Sequence, residues 1–247
     1  MTIRNDADLE GMAHVGRLVA GSLRHLEAAV RPGLTTAELD EVARRFFTER
    51  GATSGPQRDY DFPGFICLSV NDEIVHGIPG PRVIRAGDLV KIDVTAECAG
   101  YIADAAISVP VPPVTDVARR LIACTREAFA AALPAIRAGM PIVGIGRAVE
   151  ATARRHGFHV VRELSGHGVG RKVHEAPEVP NYDEPLCRGL LREGMVLAIE
   201  PILAAIPGRA IESDDRWTIR TENGCLAAHY EHTLIVRKGE PQILTAD

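Results

Sequence analysis

Two hydrophobic periods alternate along the chain. Between residues 7 and 30, Leu9, Met12, Val15, Leu18, Val19, Leu23 and Leu26 recur at three- and four-residue steps, which predicts a helix with one apolar stripe. Arg31-Pro32-Gly33-Leu34-Thr35-Thr36 breaks that pattern. Thr35 or Thr36 is a good N-cap for a second helix over 37–50, which Gly51 ends. Residues 52–64, rich in Gly, Pro and Asp, read as a loop. The period then shortens to two. Phe65 to Val70 reads as a strand, Asn71-Asp72 as a turn, and His76 to Gly80 as irregular. In the next stretch Leu89 precedes Val90, Ile92 and Val94 on one face of a strand, and Lys91, Asp93 and Thr95 fall on the other. A turn at Ala99-Gly100 leads into a return segment, Tyr101 to Val109, that carries Asp104. Taken alone, this is an ordinary half-wet hairpin with both acids in solvent. Pro110, Pro112 and Pro113 break the chain, and a helix is expected from about Asp116 to Ala138.

The same sequence of elements then recurs. Arg31-x-Gly33, a helix and Gly51 match Arg137-x-Gly139, a helix and Gly157 at an offset of 106. Arg85-Ala-Gly-Asp-Leu-Val-Lys-Ile-Asp93 matches Arg192-Glu-Gly-Met-Val-Leu-Ala-Ile-Glu200 at an offset of 107. Asp93 thus corresponds to Glu200, and each is followed by a strand with another acid, Asp104 and Glu231. The second hairpin is longer, with a polar insertion near Pro207 to Asn223. The pattern implies an α+β fold of one domain spanning 1–247, built from two duplicated halves of roughly 1–112 and 113–247. Halves packed about a pseudo-twofold axis bring Asp93, Asp104, Glu200 and Glu231 together. Four desolvated carboxylates repel and cannot all ionise, and two divalent cations are the natural complement.

Bulk properties narrow the class without naming it. A net charge of −5 gives no reason to expect nucleic acid or an anionic membrane as partner. No apolar run approaches the ~18 residues of a membrane span. The acidic, polar start does not read as a signal peptide. The 5 cysteines are scattered and form no CxxC pattern, which suggests a reduced, cytoplasmic protein.

His167 lies in Ser165-Gly-His-Gly-Val-Gly170, where glycines allow backbone paths that a Cβ would block. A lone Gly-His-Gly is a loop with a solvated imidazole; beside four acids it becomes a candidate ligand. Imidazole suits Zn, Fe, Co and Mn, and a carboxylate majority leans towards Mn or Fe(II). Glu200 ends the run Met195 to Ile199, where burial needs a cation or a proton; otherwise it is an edge residue reaching solvent. Glu231 lies in Ala227 to Val236, read as one strand with His229, Glu231 and Thr233 on one face. Its bland alternative is a salt bridge to an arginine.

Together these residues resemble the methionine aminopeptidase family, with its pita-bread fold, a curved antiparallel sheet covered by helices. The order and spacing of Asp93, Asp104, His167, Glu200 and Glu231 are those of the family's metal ligands. Ser69-Val-Asn71 with His76-Gly-Ile-Pro79, Gly166-His-Gly-Val-Gly-Arg171 with His174-Glu175, Ile199-Glu-Pro201 and Tyr230-Glu-His232 resemble its local signatures. With only 25 residues between His174 and Glu200, the chain resembles the bacterial type I enzymes.

The resemblance implies that Asp93 chelates one metal, that His167 and Glu200 hold the other, and that Asp104 and Glu231 bridge both. It implies two divalent ions (Mn, Fe(II), Co or Zn) activating a bridging water, with Glu200 as general base and then acid. His76 and His174 would contact the scissile peptide and be catalytic. Phe62, Cys67 and Trp217 would form the methionine side-chain pocket, although from the residues alone they read as core packing. The implied reaction is removal of the initiator methionine before a small second residue, from nascent polypeptide N-termini near the ribosome, by a monomer. A prolidase or Xaa-Pro aminopeptidase relative, and a metal-free binding protein of the same fold, are the alternatives. The chain departs from the family where Ala103-Asp104-Ala105-Ala106 replaces Gly-Asp-Thr, removing a hydroxyl beside the second acid. It also has Val75 for a cysteine, Val173 for an aromatic and His229 for a glutamine, and Gln57 to Asp61 lacks the usual glycines.

Overall fold

The computed structural model describes residues 1–246. The first predicted helix is α1 (Asp6–Ala29), capped by the Asn5 side chain, which accepts from the Asp8 N–H. Its stripe, including Met12, Val15, Val19, Leu23 and Leu26, is buried against the sheet. The second is α2 (Thr36–Thr48). Thr35 caps it and the Glu38 carboxylate reaches back to the Thr35 N–H, a reciprocal capping box. The expected loop over 52–64 contains a two-residue strand and a short helix, α3 (Gly55–Tyr60). Ser54 caps α3 and Pro56 sits in its first turn, where no N–H is missed. These signals are present in the sequence, but Gly and Pro mask them. The helix expected to reach Ala138 stops earlier: α4 (Asp116–Ala132) passes into a single 3-10 turn, Leu133–Ala135, at Pro134. The last helix is α5 (Val143–Arg155).

The strands form one nine-stranded antiparallel sheet and two three-stranded ones. The large sheet contains the predicted hairpin, Leu89–Cys98 against Tyr101–Pro110. Beside it runs Glu231–Ile235, with Glu231 opposite Ala106 and His232 opposite Ala105. The hairpin is not half-wet. Both faces are covered, and even Lys91 is only 1% exposed. The expected strand from Ala227 to Val236 is split at Tyr230. Ala227–His229 pairs in a small sheet and Glu231–Ile235 in the large one. The polar insertion near Pro207 to Asn223 folds into the ribbon Ala210–Glu212 and Ile219–Thr221, which pairs with Glu73–Val75.

Backbone hydrogen bonds in the first half recur in the second. Gly33 N–H donates to the Ile84 carbonyl and Gly139 N–H to that of Leu191, and both glycines sit at φ 91°. Ile84 N–H returns to Leu34, and Leu191 N–H to Met140. Gly87 and Gly194 likewise donate to Val111 and Val236. The first core gathers under α1 and α2, and a second, with Phe129, Ile145, Val149 and Leu197, lies under α4 and α5. The sheet is thereby shielded over both halves, so side chains on its remaining face meet at the central seam.

Candidate metal centre

Strand pairing places the acids. Asp93 lies opposite Ala106 and Cys67, and Asp104 lies opposite Thr95, so both carboxyls project from one face of the hairpin. Glu231 begins the neighbouring strand and Glu200 follows Val196–Ile199 directly. Neither Glu200 nor Glu231 meets an arginine or open solvent: they are 8% and 2% exposed. Burial raises all four carboxyls above their usual range, and the neighbouring acids push Asp93, Glu200 and Glu231 further. Asp104 reaches about 7, its rise moderated by a hydrogen bond from Thr95.

His167 comes from the short strand Ser165–Gly168. Its flanking glycines are demanded by close backbone approach. A Cβ on Gly166 would lie 2.5 Å from the Ala198 carbonyl oxygen, and one on Gly168 2.4 Å from that of Ala176. His167 Nδ1 donates to the Gly168 carbonyl at 2.9 Å, which leaves the lone pair on Nε2, 3.5 Å from a Glu200 oxygen. Burial lowers its pKa to about 3, so the ring is a neutral donor.

A cavity of about 470 Å³ opens onto this cluster. All ten residues singled out from the sequence line it: the five candidate ligands, His76, His174, Phe62, Cys67 and Trp217. Phe62 meets Trp217 edge to face at 5.1 Å. His76 holds a left-handed backbone at φ 57°, and burial lowers its pKa to about 4. The His174 ring lies 4.2 Å from that of His167, and its Nδ1 is 2.7 Å from the Tyr60 hydroxyl.

Three neighbours carried no site role in the sequence reading. Thr95 donates to the Asp104 carboxyl at 2.8 Å. A hydroxyl therefore does serve the second acid, from across the hairpin, although the adjacent position is Ala105. The alternation that put Thr95 on the face of Asp93 was the available signal. Tyr60 was hidden because α3 was read as loop. His229, noted as a departure, lies between two acids with its Nε2 3.4 Å from Glu231 and 3.7 Å from Glu200. Burial holds its pKa at about 3, so these are not ion pairs.

The residues fit a divalent cation. Asp104, His167 and Glu231 offer donor atoms within 4.8 Å of one another. The buried side-chain atoms without a hydrogen-bond partner among the described residues, His229 Nδ1 and Nε2 and Glu231 Oε1, all lie here. Such atoms are costly unless something binds them.

A profile of metallopeptidase family M24 matches residues 10–238. The chain belongs to that family. It is 40% identical over 247 residues to methionine aminopeptidase 2 of Bacillus subtilis, covering 99% of both chains. It is also 40% identical to methionine aminopeptidase of Staphylococcus epidermidis, over 99% of this chain and 98% of the relative. The crystal structure of methionine aminopeptidase from Rickettsia prowazekii superposes with a TM-score of 0.94 at 34% identity, over 99% of this chain and 100% of that one. The fold is the family's pita-bread fold. Prolidase from Pyrococcus furiosus shares it at a TM-score of 0.80 and 20% identity, with 66% of that chain covered. Among the described residues no helix is long and apolar enough to cross a membrane.

Proposed function

We propose that this chain is a metal-dependent aminopeptidase that removes the N-terminal methionine from polypeptides with a small second residue, and that it resembles the type I enzymes. The observation that carries this reading is one cavity joining a buried carboxylate–imidazole cluster to a wall of Phe62, Cys67 and Trp217. Sulfur and aromatic surfaces suit an unbranched thioether. Asp93, Asp104, His167, Glu200 and Glu231 would hold two divalent ions, Mn, Fe(II), Co or Zn. When bound, such ions supply Lewis acidity and the positive charge that lets the carboxylates ionise.

The chain's own groups do the rest. Glu200, ionised in that state, takes the proton of the attacking water and delivers it to the leaving amine. Tyr60 donates to His174 Nδ1, which places the ring proton on Nε2, facing the substrate carbonyl. His76 is a second donor to the oxygen on which charge develops. Phe62 and Trp217 seat the first side chain and exclude water. The substrates are nascent N-termini near the ribosome, and the enzyme acts as a cytoplasmic monomer.

The test is methionine release from Met-Ala, Met-Leu and Xaa-Pro peptides with added Mn or Co. Release from Met-Ala well above Met-Leu is the expected result. Hydrolysis of Xaa-Pro peptides alone would reassign the chain to the proline-directed branch, and no turnover with any metal would leave a binding protein.

A further inference from the structure

His229 carries an inference that deepens the metal-centre reading and rests on it. Its ring is 2% exposed, and neither nitrogen has a hydrogen-bond partner among the described residues. Its backbone is pinned: the His229 N–H donates to Ser108 Oγ at 2.9 Å, and that hydroxyl donates to the His229 carbonyl at 2.8 Å. Pairing with Ile202 fixes the direction of the residue from the other side. The imidazole is therefore held, unsatisfied, between Glu231 and Glu200.

Two roles are open to the ring, a hydrogen-bond donor to a carboxylate or a metal ligand beside it. A ring N–H donating to a carboxylate comes within about 3.2 Å of the oxygen. His229 Nε2 is 3.4 and 3.7 Å from its two carboxylates, outside that range. Two donors on one ion with bonds of about 2.1 Å lie roughly 3.0–3.4 Å apart, by the geometry of an octahedral or tetrahedral shell. The pair His167 Nε2 and Glu200, both expected ligands, is separated by 3.5 Å. The 3.4 Å from His229 to Glu231 falls at the edge of that range, and the 3.7 Å to Glu200 lies beyond it.

We propose that His229 is a sixth ligand of this centre, its Nε2 adding a second imidazole nitrogen to the four carboxylates and His167. Where the family usually has glutamine, this chain offers a better donor for Co and Zn. The consequence is a centre tuned away from Mn and towards borderline ions.

The experiment uses the full chain, stripped of metal and reloaded with Zn(II), Co(II) or Mn(II). X-ray absorption on the Zn-loaded wild type should count two imidazoles per chain. His229→Gln and His229→Ala should each reduce that count to one. Calorimetric titration should show Zn and Co binding weakened by about 10–100-fold or more in the variants, with a smaller loss for Mn. A wild-type count of one overturns the proposal whether or not the variants fold, as do unchanged counts and affinities in folded variants. Methionine release by the same loaded wild type separates the two readings. Two imidazoles without release leaves His229 a ligand and removes the aminopeptidase; release with one imidazole does the reverse.

Discussion

Lys91 sits inside the hairpin of the large sheet, 1% exposed, with its ammonium donating to the Asn71 carbonyl at 2.7 Å. Desolvation lowers its pKa from 10.5 to about 7, against the partial support of Glu73 and Asp72. At Lys91 the unfolded chain therefore holds up to one more proton than the folded chain between pH 7 and 10.5, and this group's contribution to stability rises with pH across that window. The full shift corresponds to about 5 kcal/mol. Lys91→Met keeps an unbranched side chain of similar length and removes the titration. It does not orphan the Asn71 carbonyl, which also accepts from the Ala227 N–H at 3.2 Å. Urea denaturation of both proteins at pH 7.0 and 8.5 covers this titration, and the 5 cysteines, which begin to ionise in the unfolded chain over the same range, are common to both proteins. The other buried groups cancel in the comparison. Wild-type stability minus variant stability should grow by roughly 1.5–2 kcal/mol from the lower pH to the higher. A difference that stays flat or shrinks would show that the ammonium is not desolvated in the fold.

Glu200→Gln should lower methionine release by at least about 10²-fold with an unchanged far-UV spectrum; an unchanged rate would remove Glu200 from proton transfer. His174→Ala should lose about 10²-fold in turnover while retaining its metal, as measured by elemental analysis, and loss of metal would reassign it as a ligand. Tyr60→Phe removes the hydroxyl on His174 Nδ1. It should lower kcat several-fold while leaving KM near wild type, and a pure KM effect would place Tyr60 in substrate binding instead. Gly146→Ala should destabilise by about 3 kcal/mol or more in thermal denaturation. The new Cβ would lie 2.2 Å from the Tyr182 carbonyl oxygen, whereas helix propensity alone would favour alanine by about 1 kcal/mol.

The legible parts of the sequence were those with a period or a repeat. The stripe of α1 and the capping threonine of α2 follow from local rules, and the matched blocks ending in Asp93 and Glu200 foretold which acids would meet. Contacts set by a covered second face were not legible. Lys91 reads as a solvent residue by alternation, because nothing local announces that the Asn71 turn will close over it. Thr95 and Tyr60 act on residues 9 and 114 positions away, through strand register and through a helix that Gly and Pro disguised. His229 was visible only as an unexpected letter. Its unsatisfied ring required the neighbouring sheet to be placed first, since the break at Tyr230 decides where it points.

One threonine hydroxyl bonds twice across the seam between the halves. Thr233 Oγ1 donates to the Asp104 carbonyl at 2.8 Å, and the Asp104 N–H donates back to it at 2.8 Å. Asp104, a candidate ligand, is thus bonded through its own backbone to the other half, so the junction and the donor set share a residue. Fragments 1–112 and 113–247, produced separately, would each own only part of the cage. Divalent ion should then act as the glue that drives their complementation, and a chelator as the reagent that parts them.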